Sequence, residues 1–178
     1  MKSYAGIGSR NITNQEKEII KKISSLLSKL HYLCYSGNAD GSDIAFQENC
    51  YGQCVVFLPW DGFNKDKFDY DNKSLCKNYY VAGNSDAGLE SVEKFHPNPS
   101  VLSRGGRSLM CRNYYQIMGW YYIYPRVDFV ICCADEDING NVLGGTGQAT
   151  RIAKSLNIPI FNIRNKNWKD NFKTFLKN

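Results

Sequence analysis

The 178-residue chain contains no apolar run near the roughly 20 residues that a membrane-spanning helix needs, and it reads as a soluble protein. Histidine is scarce. His31 and His96 are the only two, and neither has a second ligand or a carboxylate at motif spacing, so no metal and no cofactor is expected. The seven cysteines are odd in number and lack paired metal spacing, and the N-terminus has no charged-then-apolar leader. Together these features exclude a disulfide scaffold and point to a reducing cytosol, hence a cytoplasmic protein whose thiols are small buried hydrophobes. Repeats and low-complexity tracts are absent. A strong charge of one sign is missing too: Lys+Arg 22 against Asp+Glu 17 leaves +5, spread along the chain, which suits a phosphate-bearing small ligand and disfavours nucleic acid as a partner.

What is present is an alternation of short apolar runs and amphipathic segments. Ser3 to Ile7, Tyr32 to Tyr35, Cys54 to Leu58, Val127 to Cys133 and Pro159 to Ile163 have strand character. Between them lie helical repeats, the first opened by a capping box from Thr13 to Glu16. This order predicts an α/β, Rossmann-like three-layer fold with a mostly parallel sheet of about five strands in the order 3-2-1-4-5, built as one domain over residues 1–178. From about residue 59 to 99 the periodicity loosens, apart from a short helix expected around Ser85 to Phe95. A long excursion of this kind is read as a lid carrying aromatic groups, Trp60 among them. Ser108 to Gly119 predicts a helix apolar around much of its circumference. With Trp120, Tyr121 and Tyr122 after it, this surface suggests a homodimer or higher homo-oligomer.

Three small-residue turns carry the functional signal. A strand that feeds a glycine-rich turn opening a helix gathers free backbone N–H groups at the positive end of that helix, where a phosphate can sit. Gly144-Gly145-Thr146-Gly147 is placed in this way after the fourth strand, Gly8-Ser9-Arg10 follows the first, and Ser36-Gly37 follows the second and leads to Asp43. In the order 3-2-1-4-5 the strand sequence reverses between the first and fourth strands, which puts these turns on one crevice. Asp43 is read as a helix N-terminal charge or a partner for Arg10.

The motifs YAGIGSR at Tyr4 to Arg10, SGNADGSD at Ser36 to Asp43, the helical pair Arg112-Asn113, and GGTG at Gly144 to Gly147 resemble the SLOG superfamily of Rossmann-like proteins. That superfamily takes in the Lonely-guy phosphoribohydrolases, the DNA-processing protein DprA and nucleotide-sensing domains of bacterial immune effectors. The set looks most like its small stand-alone phage and bacterial members; for a phage protein the setting would be the host cytoplasm. The resemblance implies that Gly8, Ser9, Arg10 and Gly144 to Gly147 hold phosphate and ribose and that Arg112, beside Asn113, projects into the same pocket. The Lonely-guy pattern GGxGTxxE becomes GGTGQATR here, with Gln148 in the threonine's place and Arg151 in the glutamate's. An arginine cannot serve as the carboxylate that supports cleavage between base and ribose.

Three functions follow as expectations. The first is a small nucleotide-type ligand, a nucleotide or an NAD-derived signal of the cyclic ADP-ribose type, bound or sequestered as a phage counter-defence. The second is an N-glycosidic hydrolase using Arg112 with a relocated carboxylate, Asp43, Glu90 or Glu93; the missing glutamate makes an enzyme the weaker reading. The third is DprA-like binding of single-stranded DNA.

Overall fold

β1 (Ser3–Gly8), β2 (Leu33–Ser36), β3 (Cys54–Leu58), β4 (Asn78–Val81), β5 (Phe129–Cys133) and β6 (Ile160–Asn162) form one sheet in a computed structural model that describes residues 1–177. Its order is β4-β3-β2-β1-β5-β6, and every neighbouring pair is parallel. β2, β3 and β5 are buried along their whole length, with no in-out alternation: CVVFL in β3 and FVICC in β5 are apolar throughout because helices cover both faces.

The helices are α1 (Asn14–Lys29), α2 (Ser42–Glu48), α3 (Asp86–Phe95), α4 (Arg104–Met118), α5 (Gly144–Ser155) and α6 (Trp168–Lys177). One face of the sheet presents Tyr4, Val56, Leu58, Phe129 and Ile131 to Ile20, Ile23 and Leu27 of α1, Phe46 of α2 and Phe172 of α6. The other presents Ala5, Tyr35, Val55, Phe57 and Val130 to Tyr115 and Ile117 of α4 and Ala149, Ile152 and Ala153 of α5. The result is a Rossmann-like three-layer α/β fold. α1 starts where the sequence says it should: Thr13 Oγ1 accepts from Glu16 N at 3.1 Å, and Glu16 Oε2 accepts from Thr13 N at 2.7 Å.

The sheet has one more strand than the five expected. β4 pairs with β3 at the edge, and its four residues are half-buried or exposed. Polar neighbours from Asp66 to Lys77 hide it, because an edge strand need not be apolar. The 59–99 excursion therefore contains sheet and, at Asp86–Phe95, the expected short helix. A second difference lies at the glycine turn. The helix does not follow it; α5 begins at Gly144, so the glycines are its first turn. Among the described residues all seven cysteines are free and buried, and no helix is long and apolar enough to cross a membrane.

Phe129 is the aromatic hub of the α1/α6 layer. Its ring lies 5.8 Å from Tyr4, 5.4 Å from Tyr32, 5.6 Å from Phe172 and 5.2 Å from Phe175, tying β1, β5 and α6 together. Phe129→Ala should lower the unfolding free energy by about 3–5 kcal/mol, the usual cost of truncating a buried phenylalanine. Urea titration against the wild type measures this loss.

Candidate functional site

β1 pairs with β2 on one side and with β5 on the other, so the connections leaving β1 and β5 run to opposite faces of the sheet. Between them, at the C-terminal ends of the strands, opens a crevice of about 410 Å³.

The β1 turn forms one wall. Ser9 N donates to Cys133 O at 2.7 Å, and both the amide and the hydroxyl of Ser42 donate to Ser9 O at 3.0 Å, so the turn is pinned to β5 and to the start of α2. Gly8, at φ 155°, has no room for a side chain: a Cβ would sit 2.5 Å from Cys133 O. Arg10, next in the chain, is exposed at the rim.

The opposite wall is the first turn of α5. Its N-cap, Leu143, has no side chain able to accept from the helix, and the opening residues Gly144 and Gly145 are exposed. The first amides of a helix have no acceptor inside it. Here they stand bare at the positive end of the helix dipole, on the same crevice as the Arg10 guanidinium.

The floor is polar and buried. Asp43 from α2 is 2% exposed and Arg112 from α4 is 6% exposed. Arg112 Nη2 and Gln116 Nε2 each lie 3.4 Å from Asp43 Oδ2, while Arg112 Nη1 donates to Asn113 Oδ1 at 2.5 Å and also to Gln116 Oε1. Asn113 Nδ2 then donates to Gly145 O at 3.0 Å and Gln148 Oε1 at 3.3 Å, joining the floor to α5. Burial pushes the Asp43 carboxyl up, against the pull of Arg112, and pushes the Arg112 guanidinium down. Each is driven toward its neutral form, so desolvation outweighs their attraction. Two donors are left over, Arg112 Nε and Gln148 Nε2, both buried and without an acceptor.

Arg164, from the segment between β6 and α6, ties the segments after β1 and β5 together. Its Nη2 donates to Asn11 O at 3.0 Å in the β1 turn, its Nη1 to Asp135 Oδ1 at 2.8 Å beyond β5, and its Nε to Glu16 Oε1 at 2.6 Å. The guanidinium holds the Glu16 carboxyl well below its ordinary 4.5, at about 2.

Of the residues singled out in the sequence, Gly8, Ser9, Arg10, Asp43, Arg112, Asn113, Gly144, Gly145 and Thr146 line the crevice. Gly37 lies against the Arg112 guanidinium. Ser36 is buried below, its hydroxyl donating to Gly6 O at 2.7 Å; Gly147 and Gln148 are buried within α5. Trp60 is not on the crevice: its ring packs edge-on against Phe63 at 5.0 Å, which removes it as a lid over the site. Glu93 is paired with Arg107, and Glu90 is exposed on the same helix, so neither supplies a carboxylate there. Arg151 also faces elsewhere, its Nε donating to Phe95 O at 2.6 Å. Asp43 is partnered by Arg112, not by Arg10. Asn11, Leu109, Met110, Gln116, Asp135 and Leu143 also line it, and no motif marked them.

No protein-family model matches the chain, and no curated protein matches its sequence. Among solved structures it is similar to DNA processing protein A from Helicobacter pylori, at 18% identity and a TM-score of 0.65, covering 99% of this chain and 80% of that one. The fold is thus DprA-like as well as Rossmann-like. The structure of that protein is described for its single-stranded DNA binding mode. This corrects the expectation that nucleic acid is disfavoured as a partner. A modest, dispersed positive charge was the ground for it, and net charge does not report how a few donors converge on one crevice.

The Arg164 contacts give a pH signature. A carboxyl depressed from 4.5 to about 2 adds stability above pH 4.5 and loses it as the pH falls toward 2. Glu16→Gln should therefore be less stable than the wild type at neutral pH, and the two urea midpoints should converge near pH 2. A gap that stays constant over this range would show that the charge of Glu16 is not what Arg164 uses.

Proposed function

We propose that this crevice binds the sugar-phosphate part of a single-stranded nucleic acid. The observation that carries the reading is the bare N-terminus of α5 facing an exposed Arg10: backbone amides and a guanidinium converge where neither has a partner within the protein. Such donors suit a phosphate, and the glycines let it approach the backbone. Leu109, Met110 and Leu143 add apolar surface beside these donors for a base or sugar. The DprA-like fold supports a strand over an NAD-derived signal.

A free nucleotide in the same crevice is the second reading, favoured by a volume that falls within the range of small-molecule pockets. Hydrolysis of the ligand is not part of either reading. Glu90 and Glu93 lie away from the crevice, and Asp43 is engaged by Arg112 and Gln116.

Fluorescence anisotropy with a labelled oligodeoxythymidylate at several salt concentrations tests the proposal. Binding should weaken with salt, and Arg10→Ala should reduce affinity about tenfold and lower the salt slope by about one. Absence of binding even at low salt, with retention of mononucleotides, would replace the strand with the free nucleotide.

A further inference from the structure

We infer that a strand held in the crevice runs on over Leu143 into a second phosphate subsite, formed by Arg151 and Lys154 of α5. This rests on the reading just given and extends it along the ligand. Beside the crevice lies a second cavity of about 330 Å³, whose lining includes Asp137 and Asn141, from the hairpin closed by the Glu136–Val142 bridge, and Gly147, Arg151 and Lys154 of α5. Leu143 lines both cavities, and no other residue does. Its side chain is 50% exposed, an apolar ridge between the cations of the two cavities.

Helix geometry sets the spacing. Gly144, Gly147, Arg151 and Lys154 follow one another at steps of three or four residues, so they share one face of α5. The Arg151 side chain turns back toward the start of the helix: a Cβ on Gly147 would sit 3.1 Å from Arg151 Nη1. That nitrogen therefore stands about one helical turn beyond Gly144, where the bare amides are. Nε of the same guanidinium donates to Phe95 O at 2.6 Å, which holds the group in place. Among the described residues neither Arg151 nor Lys154 forms an ion pair, and burial pushes the Arg151 guanidinium down. A cation withdrawn from water without a counter-charge is stabilised by an anion that arrives with the ligand. Asp137, the carboxylate of this cavity, is already engaged: it accepts from Asn139 N, Asn141 N and Asn141 Nδ2 within its own turn. A mononucleotide fills the crevice alone, whereas the next phosphodiester of a strand passing Leu143 meets Arg151 and Lys154.

Fluorescence anisotropy of a labelled oligodeoxythymidylate over a salt series, with the intact protein, tests the subsite. Arg151→Gln together with Lys154→Ala should weaken binding about tenfold and lower the salt slope by about one, the mark of one lost phosphate contact. Lys21→Ala with Lys22→Ala removes the same charge from the exposed face of α1 and should change neither quantity. Lys154→Ala alone, at an exposed position, should share the loss, and it carries the test if the Arg151 variant does not fold. Equal losses from the α5 and α1 pairs, or no loss from the α5 pair, would overturn the subsite and leave strand binding in the crevice intact. If the wild type bound no oligonucleotide at any salt concentration, the strand reading would fall and the subsite with it.

Discussion

Parallel pairing of β1 with both β2 and β5 is the constraint on which the molecule depends. A parallel neighbour can be reached only by a crossover, and the crossovers from β1 to β2 and from β5 to β6 run in opposite directions along the sheet, so right-handed connections put their helices on opposite faces. α1 therefore lies on one face and α5 on the other, and the strand ends between them cannot be covered by either. The register carries this through to the atoms: Gly8 lies opposite Cys133, so the β1 turn and the segment leading to α5 begin at the same level. The crevice follows from the order of the strands, and side chains decide only what it can hold.

Those side chains were chosen at a cost to stability. Asp43 and Arg112 lie 3.4 Å apart and buried, and burial raises the Asp43 carboxyl and lowers the Arg112 guanidinium, so desolvation works against the pair. Their geometry makes sense as a platform instead. Asp43 holds Arg112, Arg112 holds Asn113 and Gln116, and Asn113 holds the first turn of α5, so one carboxylate on α2 fixes the position of a turn on the far side of the crevice.

The parts legible in the sequence are those fixed by neighbours in the chain. The Thr13–Glu16 box, the buried runs of β1, β3 and β5, and the glycine turns are local patterns, and with the Arg112-Asn113 pair they point to the order of the central strands and about half of the crevice lining. Arg164 was invisible because its partners, Asn11 and Glu16, are more than a hundred residues away and no spacing rule connects them. Gln116 and Met110 looked like ordinary helix residues, and β4 looked like loop because an edge strand can be polar. Trp60 misled in the opposite sense: an aromatic residue in an irregular segment suggested a lid, whereas a T-shaped contact with Phe63 occupies it.

α5 opens with Gly144, Gly145 and, after Thr146, Gly147, and it has no side-chain cap. Gly144, at φ 63°, lies outside the helical backbone region, and a missing cap costs a helix about 1 kcal/mol. The first turn is consequently the least secure part of an otherwise well-packed helix. An anion among its amides would do the work that Leu143 cannot, acting as the missing N-cap. Binding and the consolidation of this turn are then a single equilibrium, in which the ligand serves as part of the secondary structure that holds it.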